Sequence, residues 1–475
     1  MLRKLAHRLG PALWLVLIFS AGSAEAATGS AGEGPQVLGI PVDFVLFALT
    51  LLGVALFHHH TLQVALTGLI TIGIYKLAFT GFAAGPGLTG LAVHLQHEWV
   101  MLSNLLGLLL GFALLARHFE DSRVPEALPR YLPAGWLGGF MLLAMIFVLS
   151  SFLDNIAAAL IGGTIARIVF RHRIHIGYLA AIVAASNAGG SGSVVGDTTT
   201  TMMWIDGVSP LDVTHAYVAA GTALLVSGIV AALQQHRYAP IAAPDGRNEP
   251  VDWPRVLIVG FILVAAVATN VTVNVFFAAA SDRFPFLGAA VWVALLLAAP
   301  VRRPEWRLLP EALKGSVFLL SLVLCASLMP VEKLPQASWQ TALGLGFVSA
   351  VFDNIPLTAL ALAQGGYDWG MLAYAVGFGG SMIWFGSSAG VALANMFPEA
   401  RSAGRWLVHG WHVTVAYVLG FIALLLIVGW QPRPPHKAKL SAPTEARLVA
   451  RPNGPSSPGP STVAPRPMLA TSPFS

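Results

Sequence analysis

Two carboxylates stand in almost unbroken apolar sequence, each followed by Asn and introduced by closely similar phrases: SSFLDNI from Ser150 to Ile156 and SAVFDNI from Ser349 to Ile355. A third, Asp197, lies in SNAGGSGSVVGDTTTTMMW, from Ser186 to Trp204, beside four consecutive threonines. A charge at a bilayer centre costs about 2.5 to 3.5 kcal/mol even on lenient insertion scales, so intramembrane carboxylates mark ion or substrate sites by default. Carboxylates, hydroxyls and freed backbone carbonyls are the oxygen ligands that hard cations take. Burial favours the neutral acid and a nearby cation favours the anion. One site that holds either a cation or a proton is sufficient for exchange by alternating access.

The elements that must position these groups are themselves duplicated. GFGGSMIWFGSSAG, from Gly377 to Gly390, matches the stretch around Asp197: Gly189, Gly190, Ser191 and Gly196 correspond to Gly379, Gly380, Ser381 and Gly386 at one constant offset, at which Asp197 pairs with Ser387. Glycines let a helix unwind at midmembrane, exposing carbonyls and half-helix ends. Six apolar segments in each half follow the same order, the fourth carrying Asp-Asn and the fifth interrupted by glycine and serine. The reading is a first repeat at 38–236, a cytoplasmic linker at 237–253 and a second repeat at 254–430. Asp154 and Asp197 come from different elements that such a fold brings together.

The 475 residues are 56% hydrophobic and 10% charged, which identifies a polytopic membrane protein. Only helices satisfy their own backbone in lipid at this segment length, so the fold is expected to be all-α. The formal charge of +5 comes from loop residues that orient the chain, and nucleic-acid binding is not expected. Cys325, alone, forms no intrachain disulfide. Arg3, Lys4 and Arg8 followed by an apolar run mark residues 1–27 as a signal peptide or a first span. Residues 431–475, rich in Pro, Ser and Ala, read as a disordered tail.

Arg117, Arg123 and Arg130 precede the first Asp-Asn segment and Arg167, Arg171 and Arg173 follow it, placing both ends in the cytoplasm. That segment must be a re-entrant helical hairpin with SSFLDN at its tip, tolerated only inside protein or beside a wet cavity. Continuing the count makes the second hairpin open from the other side, so the repeats are inverted; the basic tail residues Arg433, Lys437 and Lys439 break the rule.

Small-residue pairs more often serve helix packing, and a single buried Asp can simply cap a helix; the full stretch around Asp197 and the duplicated Asp-Asn favour a site. Lys76 is expected to snorkel to the interface, and His409 and His412 to lie at the start of the last span as interfacial residues. An intramembrane aspartyl protease would also use two carboxylates. Such enzymes would show Gly-x-Gly-Asp, whereas this chain has Val194-Val195-Gly196-Asp197, and nothing in them accounts for a second hairpin; no enzyme activity is expected.

At SSFLDN, SNxGG…GDTTTTMxW, SAVFDNIP and GGS…GSSAGVA the chain resembles the ion transporter superfamily, within it the NhaD-type sodium/proton antiporters, relatives of arsenite permeases and citrate transporters. The resemblance spans roughly 38–430. It implies a homodimer in which a mobile domain carrying hairpins and broken helices moves as an elevator against a scaffold. It also implies that Ser150, Asp154, Asn155, Asn187, Asp197, Thr199 and Thr200 line the cation and proton site, with Ser349, Asp353, Asn354 and Ser387 as second-half counterparts, and Na⁺ at Asp154, Asn155 and Asp197. One departure is Trp384, a bulky indole where members of that family carry a small hydroxyl residue; it would narrow the pocket to a bare cation, remove a ligand or mark another substrate.

The expected function is therefore secondary exchange of Na⁺ or Li⁺ for H⁺ across a bacterial inner membrane, with lipid and small ions as partners and no cofactor. The alternatives are sodium-coupled symport of citrate or a dicarboxylate, favoured by half-helix N-termini that attract carboxylates, and arsenite permeation.

Overall fold

Residues 35–433 are described in the computed structural model, apart from 38, 58–59, 242–249 and 282. The expected signal region, most of the expected tail and half of the expected linker lie outside the described residues. Almost all regular structure is helical, as the apolar segments require, and the described sheet is a two-residue pairing of β1 (Gln36–Val37) with β2 (Ile40–Pro41).

The first half runs α1 (Val42–Leu56), α2 (Thr61–Tyr75), α3 (Gly87–Glu120), α4 (Trp136–Ser150), α5 (Asn155–Val169), α6 (Ile176–Ser191), α7 (Thr198–Ile205) and α8 (Ala216–Tyr238). The second runs α9 (Trp253–Phe276), α10 (Phe286–Ala298), α11 (Leu309–Ser327), α12 (Trp339–Ser349), α13 (Asn354–Gln364), α14 (Trp369–Gly379), α15 (Ser388–Met396), α16 (Ala403–His409) and α17 (Trp411–Ile427). Among the described residues five helices are long and apolar enough to cross a membrane, six if α16 and α17, bent by 63°, count as one span. The chain is a helical, multi-pass membrane protein. Exposed apolar side chains such as Leu257, Val264 and Leu426 give it a surface suited to lipid.

The four short helices α4, α5, α12 and α13 meet in pairs at the two Asp-Asn phrases, and α6–α7 and α14–α15 are interrupted at the glycine stretches. α4 packs on α5 and α6, and α12 on α14, while α8 and α17 pack together and against both sets. A separate bundle is formed by α1, α2, α3, α9, α10 and α11, and α11 reaches across to α13.

Hydroxyls bond backbone carbonyls in and beside the interruptions. Ser150 Oγ donates to Ser186 O at 2.5 Å and Ser349 Oγ to Val376 O at 2.7 Å, the two acceptors being related by the same offset as the glycines. Thr200 Oγ1 donates to Ser193 O at 2.6 Å and Thr201 Oγ1 to Val194 O at 2.9 Å. Glycine is obligatory where these pieces cross: a Cβ on Gly189 would fall 2.0 Å from Phe147 O, and one on Gly379 would fall 2.3 Å from Gly346 O.

Two expectations are corrected. Lys76 does not snorkel: it is 6% exposed and its Nζ lies 3.4 Å from Asp43 Oδ1, which is equally buried and also accepts from Thr80 Oγ1 at 3.3 Å. The π-helical turn Lys76–Thr80 that follows α2 turns the lysine inward onto the first turn of α1. His412 does not face lipid or solvent either; it is 0% exposed, at the start of α17, which packs against α6 and α8.

Candidate cation-binding site

Local structure explains why acids stand at the breaks. Asp154, Asp197 and Asp353 are the N-caps of α5, α7 and α13, accepting from the backbone N–H of Ile156, Thr199 and Ile355 at 3.1, 3.3 and 3.0 Å. Ser387 caps α15 in the same way, accepting from Gly390 N at 3.2 Å. A side-chain oxygen at this position satisfies an orphan amide of the first turn, and the helix dipole favours a negative charge there. Capping is thus a real role of all three acids, and it leaves the remaining carboxylate lone pairs free for other ligands.

A cavity of about 400 Å³ brings these ends together. Asp154, Asn155, Asp197, Asn354 and Ser388 line one wall, and α3 and α11 supply the other, largely with leucine, alanine and phenylalanine. The cavity extends to Arg117, Glu120 and Glu311 at its charged end. Among the described residues, none of the ion pairs includes Asp154, Asp197 or Asp353.

The polar groups at this wall form two bonded sets, the larger of which crosses between the halves. Asn155 Nδ2 donates to Asp197 Oδ1 at 3.3 Å and to Asn187 Oδ1 at 3.0 Å. Asn187 Nδ2 donates in turn to Ser381 Oγ at 2.9 Å and Ser387 Oγ at 3.2 Å, crossing from the first half to the second. Thr199 Oγ1 donates to Asp197 Oδ2 at 2.8 Å, and Ser388 Oγ to Asp353 Oδ2 at 2.9 Å.

The structure thus sorts the expected site residues into three places. Asp154, Asn155, Asp197 and Asn354 line the cavity. Asn187, Thr199, Asp353 and Ser387 stand behind it as hydrogen-bond partners or caps. Ser150, Thr200 and Ser349 spend their hydroxyls on carbonyls in and beside the interruptions. Trp384 is 9% exposed, packs edge-on against Phe385 and is not among the described residues lining this cavity.

Sequence reasoning missed Ser388, although it sits in the GSSAG phrase, and Trp406, whose Nε1 donates to Ser381 O at 3.2 Å. It also missed the wall from α3 and α11, which carries no local motif. With two acids, amides and hydroxyls around one cavity, the arrangement can hold a dehydrated monovalent cation or a proton.

The chain is similar to sodium/proton antiporters. It is 27% identical over 308 residues to "Sodium/proton antiporter 1" of Arabidopsis thaliana, covering 55% of this chain and 50% of that protein. It therefore spans about half the length of that relative. It is 25% identical over 404 residues to "Na(+)/H(+) antiporter NhaD" of Vibrio parahaemolyticus, covering 70% of this chain and 91% of that protein. A protein of the same NhaD name from Vibrio cholerae is 25% identical over 398 residues, with 70% and 79% covered. No family model matches the chain. The resemblance to NhaD-type antiporters drawn from the motifs is thus shared by comparisons that cover 55 to 70% of the chain.

Proposed function

We propose that this protein is a secondary transporter that exchanges Na⁺ or Li⁺ for H⁺ across a bacterial inner membrane. The observation that carries the reading is the pair Asp154 and Asp197, two helix-capping carboxylates from different interrupted elements, facing one cavity with no ion-pair partner among the described residues. A carboxylate so placed exchanges its proton for a cation at small structural cost, because the amide and hydroxyl donors around it already suit the anion. Asp154, Asn155 and Asp197 would bind the cation, with Thr199 holding Asp197. The names of the relatives support the same exchange.

In this reading the two halves are inverted repeats and each Asp-Asn phrase is the tip of a re-entrant hairpin. The bundle of α1–α3 and α9–α11 is a scaffold, and the remainder moves against it as an elevator in a homodimer. The positive-inside bias of Arg117, Arg123 and Arg302 makes the charged end of the cavity cytoplasmic, so the arrangement is the inward-facing one. A second reading, sodium-coupled symport of a carboxylate such as citrate, is favoured by Asn354, whose Nδ2 is buried with no partner among the described residues.

Proteoliposomes with an imposed pH gradient test both. Na⁺ or Li⁺ alone should release the gradient, and Asp154→Asn and Asp197→Asn should each abolish that response in a folded protein. Full activity in both variants would sink the exchange mechanism, and proton movement that requires added citrate would favour symport.

A further inference from the structure

Asn187 and Gly377 hold the same place in the two halves at the constant offset, an amide side chain in the first and none in the second. In the first half the Asn155 amide is taken up by Asn187 and Asp197. In the second, Asn354 is 3% exposed, lines the cavity, and has an Nδ2 with no partner among the described residues. The positions equivalent to Asn187 and Asp197 hold a glycine and the shorter Ser387.

Packing does not explain that glycine. Unlike Gly189 and Gly379, Gly377 has room for a Cβ, which would meet Asp197 Oδ2 at 3.4 Å, Ser191 Cβ at 3.5 Å and Asn187 O at 3.9 Å, ordinary contact distances. Its φ is not in the left-handed region, and it lies within α14, where alanine is the better helix former. What the missing methyl group leaves open is the space against Asp197 Oδ2. That oxygen accepts from Thr199 Oγ1, and a carboxylate oxygen has capacity for a further ligand.

We propose that Gly377 is a specificity-determining residue: its missing side chain holds open the position from which the transported cation meets Asp197 Oδ2, and the width of that position selects among alkali cations. This rests on the cation/proton exchange reading. A methyl group at the same place would obstruct Na⁺ more than the smaller Li⁺, while the helix itself would gain.

Wild-type protein, Gly377→Ala and a control, Gly221→Ala, whose Cβ would point into open space on α8, are compared in proteoliposomes with Na⁺ and Li⁺. Gly377→Ala should raise the half-saturating Na⁺ concentration about tenfold, the usual scale for one methyl group in a shaped pocket, and that of Li⁺ less. Its melting temperature in detergent should equal or exceed that of wild type, and Gly221→Ala should transport as wild type does. An unchanged Na⁺/Li⁺ ratio in Gly377→Ala overturns the assignment. So does a large fall in its melting temperature, because the glycine would then serve packing. Wild-type protein that moves no protons with either ion sinks the exchange reading and this one with it.

Discussion

Asn155 donates from Nδ2 to Asp197 Oδ1 at 3.3 Å, tying the first turn of α5 to the cap of α7. A hydrogen bond to a charged group contributes about 1.5 to 3 kcal/mol, so Asn155→Ala should raise the half-saturating Na⁺ concentration at least about tenfold. Titrating vesicles with Na⁺ at fixed pH reads this directly, and a wild-type response would remove Asn155 from the site.

The buried pair Lys76–Asp43 makes a prediction about stability. Removing one partner of such a pair typically costs about 3 to 5 kcal/mol, whereas replacing both with apolar residues of similar volume is often near neutral. Lys76→Ala should lower the melting temperature in detergent markedly, and the double variant Lys76→Met/Asp43→Leu should recover most of the loss. Equal melting of Lys76→Ala and wild type would show that the pair contributes nothing.

Trp406→Phe keeps an aromatic ring but deletes the pyrrole ring with its Nε1 donor to Ser381 O. The lost hydrogen bond is worth about 1 kcal/mol of stability, and the cavity left at this fully buried position adds to that cost. Because Ser381 Oγ also accepts from Asn187, transport should slow more than the loss of stability implies. Unaltered turnover in the folded variant would mean that the contact only supports α16.

Acid stability depends on a group outside the spans. The Arg302 guanidinium bonded to Asp252, with Nε at 3.0 Å, holds that carboxyl below the usual carboxylate range. A depressed folded value means the contribution is present above the unfolded value of about 3.9 and is lost as pH falls through the folded value. Asp252→Asn should therefore melt below wild type at pH 6, with the difference closing below about pH 4. A difference that persists in acid would assign the effect to shape instead of charge.

Much of the site was legible because its chemistry is local. Asp154 and Asp353 are marked by the phrases around them, and the glycines that interrupt α6 and α14 are marked by their offset. What could not be read depends on contacts between distant segments. Nothing near Lys76 indicates that a π turn will aim it at Asp43, and nothing near His412 shows that it will be buried. Hydroxyls were the least decidable: Ser150 and Thr200 have the right chemistry for a cation, but the interrupted backbone claims them first. The wall from α3 and α11 is ordinary apolar helix, distinguished only by what it faces.

The capping geometry of the three acids has a spectroscopic consequence. The backbone amides of Ile156, Thr199 and Ile355 each end on a carboxylate oxygen at an interruption. Whatever occupies the carboxylate changes the electron density that amide feels. The three N–H resonances, with their exchange rates against deuterium, form a set of native reporters, one for each acid. Selective ¹⁵N labelling of isoleucine and threonine would show which acids respond to Na⁺ and which to pH, without altering a residue of the site.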